Sequence, residues 1–183
     1  MLIARSSRGF SLIELMVAIA LLAFLLLLGL PTFATMISNL RVRSVSDSIL
    51  SGIQNARIEA LKRNASITFE LDPITGIGGG WKVYPTGNSA DVLHSKGGSE
   101  GGTVQVALDT GATLIEFNNL GRRTLPVVPN ATGVLDVDVS NPGLGSCEDA
   151  GGSVRCLRVT VSLGGETRLC DPNRPTGDPQ ACN

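Results

Sequence analysis

Every position from Leu15 to Leu30 is apolar or glycine. With Phe10 to Glu14 in front of it, this run reaches about 20 residues, the length of a helix that crosses a hydrocarbon core. Beyond Pro31 the pattern changes. Apolar or small residues recur at Met36, Leu40, Val42, Val45, Ile49, Ile53, Ala56, Ala60 and Leu61, mostly three or four apart, with Arg41, Arg43, Asp47, Arg57, Glu59, Lys62 and Arg63 between them. That spacing predicts one buried face on an amphipathic helix. The two patterns join into a near-continuous helix from about Ser11 to Arg63, roughly 80 Å long at 1.5 Å per residue. After Asn64 come short alternating or β-branched runs, over Ser66 to Leu71, Trp81 to Tyr84, Thr103 to Leu108, Thr113 to Phe117, Gly133 to Val139, Arg155 to Leu163 and Thr167 to Cys170. Pro, Gly and Asn separate them, which predicts an antiparallel sheet with one face covered by the helix, an α+β head. Gly87 to Gly102, rich in Gly and Ser, reads as a loose loop.

Composition fits this division. The chain has 183 residues, 43% of them apolar, enough for one domain with an appended segment. The net charge of −1 conceals a basic stem, with 5 basic and 2 acidic residues over Arg41 to Arg63, and an acidic head, with 8 basic and 13 acidic from Ser66 onward. An acidic head argues against whole-domain attraction for nucleic acid and leaves only local basic spots. Cys147, Cys156, Cys170 and Cys182 lie among loop residues in the last third. An even number of loop cysteines points to disulfides in an oxidising space, and pairing Cys147 with Cys156 and Cys170 with Cys182 closes two short loops. Zinc is the competing reading. It lacks a Cys-x-x-Cys, and the single histidine, His94, is remote in sequence.

The start of the apolar run carries its own signal. Arg5 and Arg8, with no acid beside them, place the N-terminus on the cytoplasmic side and the head beyond the membrane. A secretory signal peptide cut near Thr32-Phe33-Ala34 is the alternative, but Glu14 lies where such a segment should be wholly apolar. Ser11-Leu12-Ile13-Glu14 also fits a helix capping box, in which the carboxylate satisfies a free amide.

Gly9-Phe10-Ser11-Leu12-Ile13-Glu14, directly after a basic leader, resembles the signal of type IV prepilins and pseudopilins. "NARIEALKRNASITFEL" (Asn55 to Leu71), "GGWKVYPTG" and "IEFNNLGRRTLP" are similar to the helix end and strands of the GspH, FimT and FimU group of minor pilins and pseudopilins. The resemblance implies a pilin fold, cleavage between Gly9 and Phe10 by a prepilin peptidase, and N-methylation of Phe10. It also implies that Glu14 pairs with a neighbouring subunit's Phe10 amine, since a carboxylate in lipid must find a partner or neutralise. Pro31 falls where pilins carry a helix-loosening proline. The implied organisation is a leader over 1–9, a transmembrane helix half over 10–30, an amphipathic half over 31–64, and a periplasmic β-rich head with a disulfide-bonded C-terminal region over 65–183. The implied role is a minor subunit of a type IV pilus or type II secretion pseudopilus, acting in initiation or at the tip. The implied partners are other major and minor pilins or pseudopilins, the peptidase and the inner-membrane assembly platform. The protein would stand in a bacterial inner membrane as a single-pass chain before entering the filament.

Other chemistry is sparse, and no cofactor is expected. His94 lies in the Gly-rich loop, so no nucleophile-base pair is evident and an enzymatic role is not expected. No phosphate-cradling glycine motif occurs. Asp136 and Asp138 share a strand face and could contribute to a calcium site, though a solvated face is the simpler reading. Glu148-Asp149 reads as an exposed acidic turn, and Arg122-Arg123 as a charged turn after Gly121. Some FimT-like pilins take part in DNA uptake, a role associated with a C-terminal Gly-Arg-x-Arg. Here Gly164-Gly165-Glu166-Thr167-Arg168 keeps one arginine and gains an acid, which leaves Arg168 and Arg174 as the DNA-contact candidates and predicts weak phosphate binding.

Overall fold

The computed structural model describes residues 9–130 and 132–182, without the side chains of 27–32. The basic leader therefore lies outside the described residues. The chain divides into two units, residues 1–36 and 37–183. A single helix, α1 (Leu12–Arg63), runs through both, with Glu14 in its first turn and Lys62 and Arg63 in its last. Acids at the start and bases at the end suit the helix dipole. Asn64, the one non-glycine residue with a positive φ among the described residues, ends the helix in the left-handed region.

In the second unit α1 buries Val42, Val45, Ile49, Ile53, Ala56 and Ala60, while Leu40 and Leu61, expected on the same face, are about half exposed. Those two sit at the edges of the stripe, where the sheets no longer cover them.

The strand pairs of the head among the described residues are all antiparallel and form two sheets, with parallel bridges only at the isolated pairs Cys147–Val154 and Asp171–Ala181. In one, β1 (Ile67–Leu71), β2 (Trp81–Pro85), β3 (His94–Lys96), β5 (Leu114–Phe117) and β6 (Arg123–Leu125) take the order β3-β2-β1-β5-β6. In the other, β4 (Gln105–Leu108), β7 (Leu135–Ser140), β8 (Leu157–Val161) and β9 (Thr167–Cys170) lie in sequence order. Alternation fixes the register, because a slip of one residue would turn the buried set outward. Leu135, Val137 and Val139 of β7 are buried beside Leu157, Val159 and Val161 of β8, and Asp136, Asp138, Arg158 and Thr160 face the other way. These inward residues join Phe69, Ile115, Phe117 and the helix stripe in one core.

A close contact of the helix backbone with the first sheet is at Gly52. A Cβ there would lie 2.7 Å from Trp81 Cε2 and 2.8 Å from Phe69 Cε2. The two rings are 5.9 Å apart, and the Trp81 indole donates to Ser48 Oγ at 3.0 Å, one helical turn from Gly52. Glycine in a helix costs about 1 kcal/mol against alanine, and here it makes room for the largest rings of the core.

Two expectations are corrected. Part of Gly87 to Gly102 is regular structure: β3 pairs with β2 through Val83 and His94, and residues 98–100 form a short turn against Gly78 to Gly80. The packing is backbone on backbone, since a Cβ on Gly78 would fall 2.1 Å from the Gly98 carbonyl oxygen. Arg123 is no exposed turn residue. It opens β6 and is 4% exposed, with its guanidinium donating to the carbonyls of Pro126 and Gly133. Arg122, just before the strand, is exposed, and Arg123 turns inward.

Glu59 joins the helix end to the rim of the first sheet. Its buried carboxylate meets Arg63 Nε at 2.8 Å, Lys62 Nζ at 3.4 Å and His94 Nε2 at 3.5 Å. The hydrogen bond from Arg63 is the main reason its carboxyl sits below the ordinary value of 4.5, with His94 and Lys62 adding to it and burial opposing. Because the folded value is depressed, this stabilisation is present above about 4.5 and fades as pH falls through the folded value.

Gly52→Ala is expected to lower the full-length chain's stability by about 1–2 kcal/mol despite its better helix propensity, because the methyl group meets aromatic rings. Thermal unfolding in detergent measures it. Glu59→Gln should cost roughly 1–2 kcal/mol at neutral pH and flatten the acid side of the stability curve, a difference that unfolding across a pH series reads out.

Candidate functional site

In the first unit the described residues form a helix that is apolar on all sides. Leu12, Ile13, Leu15, Met16, Val17, Ile19, Leu21, Leu22, Phe24, Leu25 and Leu26 are each more than half exposed. Exposed apolar surface on this scale marks a membrane or protein contact. Phe10, 84% exposed, precedes the helix beside Gly9, and the Ser11 carbonyl accepts the Leu15 amide at 3.2 Å. Glu14 is exposed one residue before Leu15 and is the only charged side chain between Phe10 and Leu30. Among the described residues no helix is long and apolar enough to cross a membrane. The apolar run in the sequence continues past Leu26 into positions 27–32, Pro31 included, whose side chains lie outside the described residues.

In the second unit the C-terminal region is closed by two disulfides, Cys147–Cys156 with Cα atoms 5.4 Å apart and Cys170–Cys182 at 5.1 Å. Asp171, 3% exposed, links the two loops. It accepts Arg155 Nε and Nη2 at 2.9 Å and the Asn173 amide at 3.0 Å, while Asn173 Nδ2 reaches Glu148 Oε2 at 3.1 Å. Glu148 is thereby half-buried rather than part of a free acidic turn. No local sequence pattern marks Asp171, because its partner Arg155 is 16 residues away.

The two arginines considered for phosphate contact are engaged within this region. Arg168 Nη2 donates to the Pro179 carbonyl at 2.6 Å, and Arg174 lies 3.7 Å from both Asp171 and Asp178. Asp136 and Asp138 share one cation, Arg158, whose Nη1 is 2.9 Å from Asp136 Oδ2 and whose Nε is 2.7 Å from Asp138 Oδ1. Burial lifts the Asp136 carboxyl above its ordinary value against the attraction of Arg158. Among the described residues no group of His, Cys, Asp and Glu is arranged to hold a metal.

Two family models match the chain: the type II transport protein GspH over residues 45–165, and the prokaryotic N-terminal methylation motif over residues 4–30. No curated protein sequence matches significantly. Among solved structures, the type IV minor pilin FimU of Pseudomonas aeruginosa is 18% identical with a TM-score of 0.55, over 78% of this chain and 95% of that one. The minor pseudopilin EpsH from the type 2 secretion system of Vibrio cholerae is 13% identical with a TM-score of 0.50, over 73% of this chain and 99% of that one. At these identities the structural likeness establishes the shared fold, and the family models carry the assignment. An N-terminal methylation motif, an exposed apolar helix start and a helix-backed antiparallel head coincide in one chain, which belongs to the GspH family and is a minor pilin or pseudopilin of a type IV pilus or type II secretion system.

Proposed function

We propose that this subunit is cut between Gly9 and Phe10 by a prepilin peptidase, methylated on the Phe10 amine, and held in the bacterial inner membrane by residues 10–30. The N-terminus then faces the cytoplasm and the head the periplasm, where an oxidising environment suits its disulfides. From there it enters the filament through its helix, by way of the assembly platform, and acts in initiation or at the tip beside other pilin-like subunits.

The observation that carries this reading is Glu14. A lone carboxylate on a helix that is otherwise apolar on every side is costly in lipid unless a cation meets it. Cleavage after Gly9 creates such a cation on Phe10 of a neighbouring subunit, so the charge pair favours axial entry into a filament. In a plain membrane anchor the acid could serve only as a helix cap with Ser11, which leaves the Gly9-Phe10 step after a basic leader without a role. Residues 31–64 then serve as the spine of the head and 65–183 as its β-rich body. Pro31, at the end of the apolar run, loosens the helix by removing one amide donor.

Glu14→Ala is expected to leave membrane insertion intact and to lower incorporation into sheared filaments by about tenfold or more, given the cost of unpairing a buried charge. Quantitative blotting of membrane and filament fractions checks this, and equal incorporation of mutant and wild type would remove the pairing. Mass spectrometry of the mature chain should find residues 1–9 absent and one added methyl on Phe10. A start after Ala34 would instead point to ordinary secretion.

A further inference from the structure

Beside the stem of the second unit lies a groove of about 210 Å³ that neither the fold nor the assembly helix accounts for. Ile37, Leu40 and Val45 of α1 form one wall, and the backbone of Gly79 and Gly97 forms the other. Three features describe what it can hold.

The first is its size. A small-molecule pocket usually spans about 300–1,000 Å³, whereas this groove has room for one or two aliphatic side chains. The second is Gly97. Its φ of −70° and ψ of 146° suit any residue, and a Cβ there would meet nothing within 4 Å. Gly78 and Gly101, which also line the groove, are compelled by backbone atoms within about 2 Å of a would-be Cβ. Nothing inside the chain requires glycine at 97, and its missing side chain leaves that stretch of the groove wall bare. The third is charge. On the rim Lys96 pairs with Glu100 at 3.6 Å, and Arg43 on the next turn pairs with Asp47 at 3.0 Å. Arg41, which also lines the groove, has no carboxylate partner among the described residues.

From these features we infer that the groove is a socket for a neighbouring pilin-like subunit, which inserts an aliphatic side chain between Leu40 and Gly97 and sets a carboxylate against Arg41. This rests on the assembly reading above and adds the surface and the chemistry of the partner. The exposed apolar side chains of Ile37 and Leu40, 47% and 59% accessible, extend the contact along the stem. Burying one aliphatic side chain supplies affinity, and Arg41, the cation in the groove wall without a carboxylate partner among the described residues, selects the partner that brings an acid.

The test uses the full-length chain in its host membrane with its companion subunits, carrying a photoreactive residue at Ser44 on the groove wall. Light is expected to join it to a pilin-like subunit. Gly97→Phe, which sets a ring on the groove wall from an unconstrained position, should reduce that adduct about tenfold or more, and Gly97→Ala should leave it nearly unchanged. Arg41→Glu should reduce it severalfold without altering the melting temperature, which keeps the idea testable if the phenylalanine variant folds poorly. Filament incorporation of the wild type is measured in parallel. Absence of the wild type from filaments would remove the assembly reading itself. Normal incorporation together with an adduct insensitive to Gly97→Phe and Arg41→Glu, or an adduct to lipid or to a second copy of this chain, would overturn the socket alone.

Discussion

The packing of one helical stripe, Val42 to Ala60, against two sheets is the contact on which the rest of the head depends. Six small or β-branched side chains occupy it, and four of them, Ile49, Ile53, Ala56 and Ala60, have no measurable exposure. Their modest size lets the strands come close, and Gly52 takes this furthest by admitting Trp81 and Phe69 onto the helix backbone. Neither sheet could stand alone, because each has one apolar face that only the helix and the other sheet cover. The seam thus converts the nine strands among the described residues, as few as three residues long, into a single core.

Polar contacts position what the core leaves adjustable. Glu59 draws β3 to the end of the helix, Asn141 donates to Ser38 and accepts from Thr103, and Asp171 joins the two disulfide loops. All three acceptors are buried and each is matched by donors, the condition under which burying a polar group adds definition to a fold. The disulfides act on the same region. They close the loops on either side of β8 and β9, whose Leu157, Val159 and Val161 already belong to the core.

Function divides along the same line as chemistry. Among the described residues of the first unit Glu14 is the one charged side chain on an otherwise apolar helix, in keeping with the assembly role proposed for that helix. The second unit carries the individuality: an arginine drawn inside at 123, a carboxylate pair on Arg158, and a glycine-lined groove beside the stem.

Periodicity alone determined the helix, with its apolar start and amphipathic continuation, and the β-rich character of the chain beyond Asn64, because spacings of 3.6 and 2 are local properties of the chain. Cysteine spacing and the Gly9 to Glu14 hexapeptide were legible for the same reason. The division into two sheets was not, nor were the short strands β3 and β6, whose three residues each carry too little pattern to register before a neighbour pairs with them. Arg123 read as an exposed turn residue because an arginine is rarely buried, and only the carbonyls of Pro126 and Gly133, brought round by the β6–β7 connection, make its burial tolerable. The glycines of 76–80 and 97–102 read as turns. Whether each is forced by backbone packing or, as at 97, borders open space depends on two segments about 20 residues apart meeting face to face, and no local window contains both.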